Sequence, residues 1–291
     1  MGAIADLPLP TKPRRAPSPV LRATAEPWFL RYSIILVVVA FMVAMFLLPL
    51  YVVFAEALRR GWAAYLKAFD DRATMHAIWL TLKVSAIAVP LNTIFGLAAA
   101  WCVSNFRFKG KRFLGVLIEL PLWVSPVISG LIFILLFGAQ GIFGPSLREH
   151  GFKIIFALPG IVLSTIFVTF PFVARVLTPQ MEAQGHKEEE AAMTLGANGW
   201  QMFWRVTLPK IKWGLLYGVI LCNARSMGEF GAVSVVSGHI RNQTNTLPLH
   251  VEVLYNEYQF VPAFASASLL AFLALATLIL KSLTTRKAAL A

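Results

Sequence analysis

The sequence predicts an all-α integral membrane protein: six transmembrane helices with a small helical loop between the fourth and the fifth. Three observations predict it. The 291-residue chain is 58% hydrophobic and only 14% charged, whereas soluble domains carry about 25% charged residues, so it lacks the polar surface to cover itself in water. Six apolar runs each reach the ~20 residues needed to cross a ~30 Å hydrocarbon core. Lysine and arginine collect in alternate connecting segments.

The elements follow in order. Residues 1–27 are polar and basic, and Pro8, Pro10, Pro13, Pro17 and Pro19 exclude a helix there. A disordered cytoplasmic tail is expected. The first apolar run, 32–56, is too long for the apolar region of a signal peptide and is expected to stay as an anchor. The other five runs cover 76–104, 113–138, 154–177, 213–237 and 262–282, within one membrane domain over 28–285 and before a short tail at 286–291. Pro49, Pro90, Pro121, Pro126, Pro159 and Pro171 fall inside these runs. Each removes a backbone hydrogen bond and is expected to kink its helix, freeing a carbonyl that lipid cannot satisfy.

Charge placement orients the chain. With the N-terminus in the cytoplasm, 17 of the 26 Lys and Arg lie in cytoplasmic segments and 7 in outer loops, with Lys83 and Arg225 inside spans. Both termini are therefore expected inside. The same bias accounts for the formal charge of +12 without a nucleic-acid partner. Cys102 and Cys222 sit in apolar runs and read as small buried hydrophobes.

Other function classes fit poorly. There is no HExxH or GxSxG, and His76, His150, His186, His239 and His250 lie outside the deep parts of the spans. They read as ordinary surface residues, against a membrane hydrolase and against a metal site. No internal repeat is visible, which weakens a secondary-transporter reading. No GxxxxGK[ST] occurs, so an energised process would draw on another polypeptide.

The loop over 182–210 stands apart in composition: "EEEAAMTLGANGWQMFWRVTLPKI", from Glu188 to Ile211. Glu188, Glu189 and Glu190 favour a helix N-terminus. Ala191, Ala192, Met193 and Leu195 are good helix formers, and Gly196 stops the helix. Asn198 reads as the cap of a second short helix, whose Trp200, Phe203 and Trp204 share one face. Pro209 is expected to close the unit. An amphipathic helix lying on the membrane is disfavoured, because an anionic leaflet repels three glutamates. A protein partner fits better.

The spacing of "EAAMTLG", nine residues and a following "VTLP" resembles the EAA loop of ABC importer permeases, matching at Glu190, Ala191, Ala192, Gly196, Leu208 and Pro209. Val206 stands where isoleucine is usual. The resemblance implies a type I ABC importer transmembrane domain in which this loop is the coupling helix, docking on a separate ATPase. It implies no cofactor on this chain, with ATP and Mg handled by that partner. "GEFGAVSVVSGHI" and "TNTLPLHVEVLYNEY" resemble the oxyanion branch of these permeases, nearest to the W-type permeases of bacterial sulfate/thiosulfate importers. That family implies a T-type permease homologue, two copies of an ABC ATPase, a periplasmic sulfate-binding protein, and an inner (cytoplasmic) membrane location. Molybdate or another oxyanion is the alternative substrate.

In the fifth run Arg225 and Glu229 are four apart, on one helix face. Ionisable residues inside a span face a cavity or a partner. Both readings stand, a place near the conduit or gate and an internal ion pair that fixes packing, and Lys83 and Glu119 carry the same ambiguity. A conduit for an anion is expected to offer mainly neutral donors, with Ser234, Ser237, Asn223, Gly228 and Gly231 as candidates. In the outer loop Thr246 is expected to cap a short helix with Pro248 in its first turn. Leu247, Val251, Leu254, Tyr255 and Tyr258 are expected on its apolar face.

Overall fold

The computed structural model describes residues 27–185 and 187–290, with side chains through 277 and at 279. The tail over 1–26, His186 and Ala291 lie outside the described residues, as do the side chains of Lys281, Arg286 and Lys287. The described residues are helical, with no strand among them. The chain divides into two compact units, Met1–Tyr51 and Val52–Ala291.

The first unit holds most of helix α1, Trp28–Ala57. Its mean hydropathy is 2.9, and from Tyr32 to Ala55 it carries no charge. Trp28 packs edge-on to Phe29 and Tyr32 at 6.4 and 6.5 Å. The amphipathic rings of tryptophan and tyrosine settle at the headgroup level of a bilayer.

In the second unit α2 (Trp62–Lys67) precedes the long α3 (Arg72–Asn105), whose start is capped by Asp71 accepting the Thr74 N–H at 3.1 Å. Then come α4 (Lys111–Trp123), α5 (Pro126–Phe137) and the short α6 (Gly144–Glu149). Helices α7 (Leu158–Thr169) and α8 (Pro171–Gln184) run as one 27-residue apolar rod. After the loop helices α9 (Lys187–Thr194) and α10 (Gly199–Met202), a π-turn over Phe203–Thr207 leads into α11 (Leu208–Met227). Then follow α12 (Gly231–Ser237), α13 (Leu247–Asn256) and α14 (Phe260–Leu290).

The core forms where α3, α8 and α11 meet. Val89, Ala100, Val173, Leu177, Ile211 and Cys222 pack there, and Asn92 reaches across to donate to Thr169 Oγ1 at 2.7 Å. A second cluster joins α3, α7, α12 and α13 through Val84, Ile161, Val233 and Leu249. Both cysteines are free, Cys222 buried and Cys102 half-buried.

Four helices are long and apolar enough to cross a membrane, and up to six spans result if each of two bent pairs counts as one. The proline-kinked run expected over 113–138 is one such pair: α4 and α5 meet at 105°. The cause is local. Pro126 opens α5, and the residue before a proline is driven from helical into extended backbone; Ser125 has ψ 131° and Val124 ψ 133°. The prolines otherwise divide. Pro49, Pro90 and Pro121 lie within helices and Pro171 at the junction of α7 with α8, whereas Pro159 sits in a first turn, where the missing N–H costs nothing.

Candidate functional site

Helix α9 ends as its sequence dictates. Gly196 has φ 89°, a left-handed conformation that costs other residues roughly 1–2 kcal/mol. Its N–H is donated to Met193 O at 2.9 Å, and the Ala197 N–H to Ala192 O at 3.0 Å. These two bonds make a Schellman cap. Asn198 then starts α10 in a reciprocal capping box with Gln201: its Oδ1 accepts the Gln201 N–H at 2.8 Å, and Gln201 Oε1 accepts the Asn198 N–H at 3.1 Å. Two short helices are thus set at a fixed turn.

Pro209 does not close the unit as expected. It lies in the first turn of α11, and the chain continues from α10 into that helix through the π-turn. A proline at 209 has no N–H for the carbonyl of residue 205 and its ring crowds that carbonyl. The backbone widens instead, and Leu208 donates its N–H to Phe203 O.

The aromatic face divides in two. Phe203 turns inward, 5.2 Å from the ring of Trp101 at the end of α3. Trp200 and Trp204 lie edge to face at 5.7 Å and stay 71% and 50% exposed, beside Leu195 at 88%. Glu190, Ala191 and Gly196 are exposed, Ala192 and Leu208 half-buried, and Pro209 exposed. Glu190, Ala191, Ala192 and Gly196 thus lie on the knob made by α9, α10 and their turn, Leu208 and Pro209 lie at the start of α11, and Leu195, Trp200 and Trp204 give the knob an exposed apolar tip, a surface of the type that marks protein contacts.

The knob is rooted by Glu189, one residue before the EAA sequence. Its carboxylate is buried and accepts Thr207 Oγ1–H at 2.6 Å and Asn105 Nδ2–H at 3.3 Å. The knob is thereby tied to the end of α3 and to the π-turn. Lys210 adds an ion pair to Glu188 at 3.4 Å and a bond to Gly185 O.

At the far end of α11 the chain breaks and bends by 48° before α12. Glu229 sits in the break, its side chain 1% exposed, 2.8 Å from the Arg225 guanidinium. The contact is an ion pair whose N–H is not aligned as a hydrogen bond. The other carboxylate oxygen accepts the Ala232 N–H at 3.1 Å, capping the first turn of α12. Gly228 is exposed in the break. Gly231 lies where a β-carbon would come within 2.8 Å of Pro126, and Gly130 is pressed against Ala232 in the same way, so α12 and α5 approach with no side chain between them. Ser234 donates its hydroxyl to Gly231 O, and Ser237 accepts the His239 N–H. Asn223 lies against Met227 Sδ. The single Ser234 proton is thus already engaged within its helix.

The loop leading into α13 corrects two expectations. Thr246 does occupy the cap position of α13, but its side chain makes no capping bond. The Leu247 N–H is capped from α3 instead, by Thr81 Oγ1 at 2.8 Å. The buried residues of α13 are Leu247, Leu249, His250 and Leu254, while Tyr255 and, just beyond the helix, Tyr258 are exposed. His250 is not a surface residue: its Nε2 lies 2.9 Å from Thr74 Oγ1 in α3, and it is 2% exposed. Burial pushes its pKa below the ordinary histidine value, opposed by the nearby Asp71 carboxylate.

Residues 92–288 match the family described as "Binding-protein-dependent transport system inner membrane component". The chain belongs to that family. This inner membrane component is 50% identical over 256 residues to the sulfate transport system permease protein CysW of Escherichia coli (strain K12), covering 88% of this chain and 87% of that protein. It is 35% identical over 245 residues to CysT of the same organism, covering 84% and 88%. In fold it is similar to a bacterial ABC transporter involved in the import of the acidic polysaccharide alginate, with a TM-score of 0.73 at 17% identity and coverage of 89% of this chain and 94% of that one. The fold is that of a type I ABC importer transmembrane domain.

Within this transport-system component, sequence reasoning missed the role of Glu189, which it grouped with two neighbours as a dipole partner. The available signal was the pair of polar residues that flank the loop, Asn105 at the end of α3 and Thr207 just before α11. Replacing Glu189 with alanine is expected to free the knob from α3, because each lost bond to a charged acceptor is worth ~1.5–3 kcal/mol. Limited proteolysis of the purified chain should then cut between 187 and 207 at least ten times faster than in the parent. An unchanged cleavage rate would show that these bonds do not hold the knob.

Proposed function

We propose that the chain is one of two membrane subunits of an ATP-driven importer of sulfate and thiosulfate, lying in a bacterial inner membrane with both termini in the cytoplasm. The other subunit is a T-type permease homologue, and a periplasmic sulfate-binding protein delivers the anion. Two copies of a separate ATPase hydrolyse ATP with Mg, each membrane subunit receiving one through its cytoplasmic loop. This chain supplies half of the translocation path and, through Glu190, Ala191, Ala192, Gly196, Leu208 and Pro209, the coupling contact. The break at Arg225, Gly228, Glu229, Gly231 and Ser234 lies at its gate. It binds no cofactor of its own.

The observation that carries this reading is the 50% identity to a sulfate permease along 88% of the chain. The capped, apolar-tipped knob supports the coupling part, since a pore that works unaided has no use for it. The need for an external motor is physical: moving a dianion into an interior-negative cell costs about 4.6 kcal/mol per 100 mV.

Deleting the chain from its host is expected to abolish uptake of radiolabelled sulfate, and restoring it to recover uptake that thiosulfate competes for. Intact sulfate uptake in the deletion strain, with no companion permease replacing it, would overturn the sulfate assignment. Loss of molybdate uptake alone would reassign the substrate.

A further inference from the structure

The outer half of α3 carries a feature that the loop and the α11–α12 break do not use. His76, Trp79, Lys83 and Ala86 follow one another at intervals of three and four residues and so lie on one face of the helix. They line a cavity of about 620 Å³, together with Leu158 and Gln243. Lys83 is exposed there, and among the described residues it makes no ion pair. His76 Nδ1 is buried and has no hydrogen-bond partner among them. Gln243 adds an exposed amide.

The depth of the lysine matters. It is the twelfth residue of a 34-residue helix, ~16 Å along the axis from Arg72 at 1.5 Å per residue. An ammonium at that depth does not stay bare against lipid; ionisable groups in spans face water-filled paths or opposite charges. The helix end above it is the one bound to α13, through Thr81 and through Thr74 with His250. The knob is tied to the other end, at Asn105. With the knob inward, the cavity lies on the outer half of α3.

Resting on the reading of the chain as an oxyanion importer, we infer that this cavity is an anion-receiving site on the outer part of the path, with Lys83 as its charge and His76 and Gln243 as hydrogen-bonding partners. The apolar wall formed by Trp79, Leu158 and Ala86 strengthens the field of the single ammonium. One charge, rather than a cluster, holds a divalent oxyanion such as sulfate weakly enough for it to move on.

The test uses the complete transporter with its partner permease, ATPase and binding protein, reconstituted in vesicles and fed radiolabelled sulfate. Lys83→Gln is expected to lower the maximal uptake rate at least five-fold, and Lys83→Arg to keep at least half of it. Lys83→Cys should lose activity like the glutamine variant and regain it after reaction with an aminoethyl thiosulfonate, which rebuilds a lysine-like cation. The sulfonatoethyl reagent, which adds an anion, should react from the outer side and restore nothing. A parent complex that imports no oxyanion sinks the function and this site together. A parent that imports sulfate, with Lys83→Gln transporting at the same rate, overturns the site alone. So does recovery by the anionic reagent as complete as by the cationic one, because it would show that bulk, not charge, is required.

Discussion

Gly196→Val is expected to cut sulfate uptake by the assembled transporter about ten-fold while the chain still reaches the membrane. Space is not the issue, since nothing lies within 4 Å of where the new β-carbon would stand. The backbone is: at φ 89° a side chain adds roughly 1–2 kcal/mol of strain, enough to shift a two-state turn by about an order of magnitude. A relaxed turn breaks the Schellman bonds of Gly196 and Ala197 and re-aims Trp200 and Trp204. Gly199→Ala is the control. That residue also has open space around it, but no positive φ, and it opens a helix, so uptake should stay near the parent level. Normal uptake by the valine variant, measured with the control at equal membrane abundance, would remove the knob from the coupling role.

Glu229→Ala is expected to destabilise the bundle by roughly 3 kcal/mol, between the ~1 kcal/mol of a lost helix cap and the ~3–5 kcal/mol of a broken, fully buried ion pair. The Arg225 side chain is 34% exposed, so water compensates part of its loss. Glu229→Gln keeps an acceptor for the Ala232 N–H without the charge, and about half of the loss should return. Thermal unfolding in detergent reads this directly. At about 2–4 °C per kcal/mol for a chain of this size, the alanine variant should melt ~6–12 °C below the parent. A shift within ~1 °C would show that neither the ion pair nor the cap supports the break.

What the sequence made legible was the chemistry that acts within a few residues. The stop at Gly196 and the cap at Asn198 are local, and each appears where its residue stands. Pro126 announced the local break in the third apolar run, but the close approach of α5 to α12 beyond it is set by Gly130 and Gly231, a contact between segments about a hundred residues apart. His250 was misread for the same reason. Its burial is set by Thr74, 176 residues away, and a histidine inside a loop carries no local mark of that. At Pro209 the residue was seen and its effect was not, because a proline near a helix start is compatible both with an end and with a widened turn. Arg225 and Glu229 show the limit of periodicity: four residues apart they pair as helix neighbours would, yet Glu229 lies beyond the last helical residue, Met227.

The widened turn before Pro209 has a mechanical consequence. Because the backbone passes through it without interruption, residues 199–227 form one stiff rod, ~43 Å long at 1.5 Å per residue. The exposed tryptophans sit at one tip and the elbow holding Glu229 at the other. A tilt of about five degrees imposed on the tip swings the elbow by ~4 Å, carried along a helix with no break between them.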